Sequence, residues 1–424
     1  MDFRPFRAWR YSSSRLDLSQ AIAPPYDVIS EKERETLYAQ SPFNVVRLIL
    51  GKEPDFYDSA ARHWKDWAQQ GVLVQDKIPA LYLYEQTFKH PLDSRPIGRL
   101  AVVGVLNLES EGAVFRHEAT FEAPRRDRLR LLEKTHTNLS PIFGLYRDSK
   151  SVLKKLFSSC RNTPPLFQAK DDQGTLHRGW ALQKENEQKA IQEALGREKI
   201  LIADGHHRFE TALEYRRRMR QKSPDAPPGA PFDFVMMALV PFEDEGLVML
   251  PTHRILRSPG PLSKEAFLEK LPPYFDLLPV PEKALFAELE KRPRKEKVFG
   301  GIFAPGKSFI LRLKSPDRVR NFLPKGKPSI WYDVEANLLT HFVFDVLWGI
   351  SDNAREGLIA YTRSAEEAAE KVYQGNAQVV FFLRSERIET IHKLAQAGEK
   401  MPQKTTYFYP KLASGLFFYH HEER

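Results

Sequence analysis

The sequence has one cysteine, Cys160, in 424 residues, so no internal disulfide can form and a small secreted scaffold stapled by bridges is excluded. It has no apolar run approaching the ~20 residues of a membrane-crossing helix, and its opening Met1-Asp2-Phe3-Arg4-Pro5-Phe6-Arg7 has no apolar signal-peptide core. A cytoplasmic protein without a membrane partner is therefore expected. Two phosphate-binding devices are also missing. Neither a Gly-x-x-x-x-Gly-Lys-Ser/Thr loop nor a Gly-rich kinase loop occurs, so any nucleotide must be held in another way. No low-complexity tract or fixed-period repeat interrupts the chain. What is there is a balance of 42% hydrophobic and 28% charged residues, which fits a folded globular protein with two or three domains. The net charge of +9 favours anionic partners without choosing between nucleic acid and nucleotide.

Proline and glycine punctuate the chain. The stretch 221–231 holds five Pro or Gly residues and reads as an exposed loop, and Arg257-Ser258-Pro259-Gly260-Pro261 reads as the main boundary between domains 1–256 and 262–424. Residues 80–88 alternate Tyr82, Tyr84, Gln86 and Phe88 with Leu81, Leu83, Glu85 and Thr87, the period of a strand. The runs 100–108 and 142–146 read as further strands, and Pro124 leads a charged helix through Leu129, Leu132 and Glu133. Later, strand, helix, strand and helix patterns at 358–361, 365–373, 378–383 and 386–397 predict a βαβ unit whose sheet is at least partly parallel. The fold class expected is α/β or α+β, with mixed sheets, helices and a C-terminal α/β domain.

The strongest local signal is Ile200-Leu201-Ile202-Ala203-Asp204-Gly205-His206-His207-Arg208-Phe209-Glu210-Thr211-Ala212-Leu213, an apolar strand, a tight turn and a helix. Phe209, Ala212 and Leu213 recur at helical spacing and should face inward. Asp204 can cap the helix, and Gly205 lets the chain turn and a ligand approach. The first-turn N–H groups, the positive helix end, His206, His207 and Arg208 form a ring of donors suited to a phosphate. Adjacent helical residues point ~100° apart, so His206 and His207 cannot both ligate one ion as a pair spaced by four would.

That string, together with Ala23-Pro24-Pro25-Tyr26-Asp27-Val28-Ile29, Leu250-Pro251-Thr252-His253-Arg254 and Met401-Pro402-Gln403-Lys404-Thr405-Thr406-Tyr407-Phe408-Tyr409-Pro410-Lys411, resembles the domain-of-unknown-function family numbered one thousand and fifteen. More distantly, the Asp-Gly-His-His-Arg turn looks like the phosphate-binding strand-turn-helix of the ParB and sulfiredoxin superfamily, whose free serine kinases carry the same residues in the same order. The resemblance implies phosphorylation of a small hydroxylated metabolite, L-serine to O-phospho-L-serine, with ATP or ADP and Mg²⁺. The partners it implies are a nucleotide and a small-molecule substrate.

In that reading Gly205, His206, His207 and Arg208 hold the phosphates, and Asp204 fixes the turn or helps hold Mg²⁺. Glu85, on a strand face with Leu81 and Leu83, or Glu118, beside His117, receives the hydroxyl proton; a plain salt bridge is the alternative for each. Asp27 in its stiff turn, His117, His253, Arg254 and Lys404 are further substrate candidates. Arg125, Arg126, Arg128 and Arg130 crowd a helix start, where positive charge meets the helix dipole. Two other functions compete. One is a nucleotide-binding switch or nucleic-acid adaptor without metabolic chemistry, although nucleic acid is disfavoured because basic and acidic residues interleave. The other is a metal-dependent hydrolase using His117, Glu118, His206 and His253.

Overall fold

The computed structural model describes residues 1–91, 93–118, 122–402 and 405–421. Two compact units emerge, the first comprising Met1–Arg116, Thr120–Val248 and Phe408–Arg424, the second His117–Ala119 and Met249–Tyr407. The sequence predicts one break at 257–261; in the structure the chain passes into the second unit after Val248 and re-enters the first at Phe408.

The first unit is built on a nine-stranded mixed sheet. Its strands are β1 (Phe3–Arg4), β2 (Leu81–Lys89), β3 (Pro96–Asn107), β4 (Val114–Phe115), β5 (Ile142–Tyr146), β6 (Phe167–Lys170), β7 (Leu176–Leu182), β8 (Ile200–Asp204) and β9 (Phe234–Pro241). The spatial order is β4-β8-β5-β9-β3-β2-β7-β6, with β1 also paired to β3. β5 runs antiparallel to β8 and parallel to β9. β9 reads as a continuous apolar run because all eight of its residues are buried. Leu83, Val102, Ile200, Ile202, Met237 and Leu239 share one core with Phe209 and Ala212 of helix α2 (His206–Lys222). On the other side of α2, Tyr215 packs with Leu129 and Leu132 of α1 (Glu122–Thr135).

Residues 408–421 return to this sheet for a polar reason. Arg99 on β3 is 1% exposed. Its guanidinium donates to the Tyr409 carbonyl at 3.0 Å, to the Pro410 carbonyl and to Gln86 Oε1, while Gln86 Nε2 donates to the Lys411 carbonyl at 3.0 Å. Gln86 and Arg99 are direct cross-strand partners, so one register pair clamps three consecutive residues of the returning segment. Ser414 then exchanges both backbone hydrogen bonds with Ala23, which ties the Pro24-Pro25-Tyr26-Asp27 turn to the same segment. Asn44 holds the other side of that turn by donating to the carbonyls of Gln20 and Ile22 at 2.9 and 3.1 Å.

The second unit has a six-stranded sheet of β10 (His253–Arg257), β11 (Phe275–Pro279), β12 (Val298–Ala304), β13 (Lys307–Leu313), β14 (Ile359–Thr362) and β15 (Ala377–Phe382), in the order β11-β13-β12-β15-β10-β14. Helix α3 (Ala365–Tyr373) buries Ala368, Ala369 and Val372 against it. The predicted βαβ unit is corrected here. β14 and β15 do run the same way on either side of α3, but β10 lies between them and is antiparallel to both. Every described pairing in this sheet is antiparallel, giving a split βαβ arrangement. Among the described residues, no helix is long and apolar enough to cross a membrane.

Replacing Arg99 with Ala orphans two buried carbonyls and an amide oxygen, each worth about 1–3 kcal/mol. Denaturant unfolding should show a loss of about 3 kcal/mol or more, and hydrogen exchange should accelerate first across 408–418. Unchanged exchange in that segment would show that the clamp does not hold it.

Candidate functional site

The chain enters the site along β8, whose first four residues are fully apolar and buried. Asp204 ends the strand, and Gly205 takes φ +93, a left-handed conformation that L side chains resist. A Cβ there would also stand 3.0 Å from the Arg208 guanidinium, which folds back across the glycine. Helix α2 then runs for 17 residues because Phe209, Ala212 and Tyr215 bury one face. Its arginines do not form an open basic stripe: Arg216 and Arg220 bond Asp233, Arg217 and Arg218 bond Glu214, and Arg218 also reaches Glu133.

The expected Asp204 cap is not made. Gly205 is the cap residue with no side-chain bond, and the Asp204 carboxylate is spent on two cations instead. Its Oδ2 accepts from Arg208 Nη2 at 2.6 Å, and its Oδ1 accepts from Lys411 Nζ. Arg208 also donates to the Pro141 carbonyl. Burial works to raise the Asp204 carboxyl, but Lys411 and Arg208 outweigh it and hold the group below the ordinary Asp range.

Asp27 faces the same group. It keeps an exposed face at the rim, while crowding by the surrounding protein and then the Asp204 carboxylate push its carboxyl upward, against Lys411 and Arg208. His207, half-buried, titrates below its ordinary value because burial disfavours the cation and Arg125 and Arg208 add to that, with Asp27 opposing. His206 is 5% exposed and packs inward. Two carboxyls pushed in opposite directions, two cations and the start of a long helix thus share one corner of the first unit.

Beside the turn lies a narrow recess of about 60 Å³, mostly apolar, that Arg208 and Thr211 share with Tyr26, Arg128, Ser140 and Ile142. Arg128 of the crowded helix start is not solvated. It is 8% exposed, stacks on the Tyr26 ring at 4.0 Å and donates to the Ile49 carbonyl at 2.7 Å. Arg125 and Arg126 lean on Glu210 and Glu122, which relieves the conflict with the helix dipole.

Glu85 is not part of this group, and its role as proton acceptor there is corrected. The row through Asp204, Phe143, Ala238 and Val103 meets β2 at Tyr82, three residues before Glu85. β2 lies four strand spacings from β8, about 19 Å at ~4.8 Å each. Glu85 pairs with Arg178 at 2.5 Å and lines a separate pocket with Asp148 and Asp244. His117, Glu118, His253 and Arg254 belong to the second unit. There His117 Nε2 lies 3.2 Å from Thr406 Oγ1, the Glu118 charge acts on the fully buried Arg254, and burial takes His253 down to about 4. Lys404 lies outside the described residues. Among the described residues, no group of three His, Cys, Asp or Glu side chains could hold a metal ion. Lys411 closes the family-like segment 401–411 but is not singled out there as a site residue, since Tyr407-Phe408-Tyr409-Pro410-Lys411 reads as a core strand with a basic flank.

Fold and site together define a mixed α/β protein whose first unit delivers an Asp-Gly-His-His-Arg turn to the start of a long helix, closed over by a C-terminal lysine. The chain belongs to the family described as Protein of unknown function (DUF1015), which it matches over residues 3–335. Among solved structures it is similar to a conserved hypothetical protein from Pyrococcus furiosus, at 17% identity over 74% of this chain and 93% of that one, TM-score 0.36. It is also similar to a free serine kinase in complex with AMP, at 16% identity over 74% and 90%, TM-score 0.35. A third is SbnI with C-terminal truncation from Staphylococcus aureus, at 9% identity over 74% and 86%, TM-score 0.36. No curated protein matches the chain.

Two measurements test this geometry. Gly205→Ala should cost about 1–2 kcal/mol in thermal or denaturant unfolding, through the left-handed backbone and the crowded guanidinium. Lys411→Met should destabilise by about 1–3 kcal/mol at neutral pH. Because the Asp204 carboxyl is depressed, its contribution is complete above the ordinary Asp range and is lost as pH falls through the depressed value. The gap between Lys411→Met and the parent should therefore close in acid; a gap independent of pH would contradict the pairing.

Proposed function

We propose that the chain transfers a phosphoryl group from a nucleoside di- or triphosphate to the hydroxyl of a small metabolite, L-serine being the acceptor the motif's resemblance implies. The observation that carries this reading is the Asp27, Asp204, Arg208 and Lys411 cluster at the start of α2. The first N–H groups of a helix point outward along its axis, and Gly205, having no side chain, lets the Arg208 guanidinium lie against the backbone where a phosphate would approach. Nucleotide phosphates fit that donor set, with His207 and the remaining N–H groups of Arg208 adding to it. Lys411 and Arg208 offset charge that builds on the transferring group, and Asp204 keeps both in place.

Asp27 is the group suited to take the hydroxyl proton. Its carboxyl is raised toward the working range of a base, and it has an exposed face toward solvent and substrate. Mg²⁺ does not fit at Asp204, because both of its oxygens already hold cations. Nucleotides carry Mg²⁺ chiefly on their own phosphates, where it neutralises charge.

Purified protein with L-serine and ATP or ADP should yield phosphoserine. Asp27→Asn should lower kcat by ~10²–10⁴-fold while leaving ADP affinity unchanged or tighter, since it removes a negative charge beside the phosphates. The kcat of the parent should rise with pH through the elevated Asp27 value, as a base must be ionised to act. Absence of labelled phosphate on any small alcohol, with every common nucleotide, would overturn the reading.

A further inference from the structure

The basic run Lys291-Arg292-Pro293-Arg294-Lys295-Glu296-Lys297 takes no part in the site described above, and in the second unit it forms a built structure. Arg384, with its side chain 1% exposed, lies beneath it. Its guanidinium donates to the Arg292 carbonyl at 2.9 Å and the Glu296 carbonyl at 2.8 Å, and pairs with the buried Glu335 carboxylate. A fully buried ion pair thus fixes the turn's backbone, and Arg294 Nη1 pins its flank to the Ser385 carbonyl at 2.9 Å.

The turn borders an open cavity of about 360 Å³. Arg294, Lys295 and Arg387 stand exposed on its lining, Arg294 also pairing with Glu290 at 3.0 Å, while Lys297, with its side chain 11% exposed, sits deeper against Asp333. Lys295 and Arg387 have no carboxylate partner within ion-pair distance among the described residues. The helix Ile388–Gln396 begins at the same cavity, with Arg387 as its cap residue and no side-chain bond to its first N–H groups. Cations gathered around one concavity of small-molecule size suit a compact anion, whereas a nucleic-acid strand needs a stripe of charge along an open surface.

We propose that this cavity of the second unit binds a small polyphosphate anion, held by Arg294, Lys295 and Arg387 with Lys297 deeper in. The ligand is distinct from the nucleotide proposed for the first unit. Proton uptake accompanies its binding. Glu386 lines the cavity, and burial followed by the neighbouring Glu335 carboxylate pushes its carboxyl up to about 7, against Lys297 and Arg294. The other charged groups on the lining are Asp333, Arg384, Lys295 and Arg387. Below neutrality Glu386 is protonated and presents no charge to the anion; above neutrality it repels it.

Calorimetric titration of the full chain with inorganic tripolyphosphate, combined with hydrogen exchange, tests this. Expected are protection of 292–297 and 387–390, and affinity at least ~10-fold weaker in both Lys295→Ala and Arg387→Ala, whose exposed side chains can be removed without disturbing the fold. Affinity in the parent should fall as pH rises from 6 to 8, and Glu386→Gln should remove that fall. Protection confined to 204–210, or unchanged affinity in both variants, would overturn the proposal. Tighter binding of a single-stranded oligonucleotide than of tripolyphosphate at these residues would replace the ligand class and overturn it as well.

Discussion

A carboxylate at a strand end that is nearly removed from water is costly unless cations meet it, and Asp204 meets two. One, Arg208, is a turn of helix away and comes with the local sequence. The other, Lys411, arrives 207 residues later and only because Arg99 and Gln86 have clamped the backbone beside it. The site therefore forms when the C-terminal segment docks, and the same segment, through Ser414 and Ala23, brings Asp27 to Asp204. Binding chemistry and closure of the first unit share one set of contacts. Two neighbouring carboxyls are split by their surroundings, one lowered by its cations and one raised by crowding and its neighbour, so that one orders the site while the other is available to exchange a proton.

The turn was legible in the sequence because it is local. A glycine at positive φ, an apolar strand before it and helical spacing after it all fall within 200–213. The strands around 80–88, 100–108 and 142–146 were legible for the same reason, since their apolar pattern needs no distant partner to be read. Lys411 was not, because aromatic neighbours make its segment look like any core strand, and its placement rests on a buried arginine some 310 residues earlier. Glu85 misled for a different reason. Alternation along a strand tells which face a side chain takes but not which end of the sheet, or how many strands away, it will lie. The βαβ reading failed in a related way: spacing between β14 and β15 fixes their direction, but nothing local reports that β10 inserts between them.

Charge shows the same limit. A net charge of +9 says nothing of where cations are free to act. The arginine-rich helix α2 is paired almost throughout, and in the run 291–297, whose backbone one buried arginine fixes, Lys291, Arg294 and Lys297 pair with Glu288, Glu290 and Asp333. Ion pairing, which depends on tertiary neighbours, decides which basic side chains are neutralised.

Phosphates bound at the start of α2, as proposed, would lie against His207. NMR titration of the His207 ring measures this directly. In the free protein its midpoint should lie below the ordinary value of 6.5, since burial and two arginines disfavour the cation. Saturating ADP should raise it, because a polyanion beside the ring favours the charged form. A midpoint that ADP leaves unmoved, with ADP shown to be bound, would place the phosphates elsewhere and contradict the account.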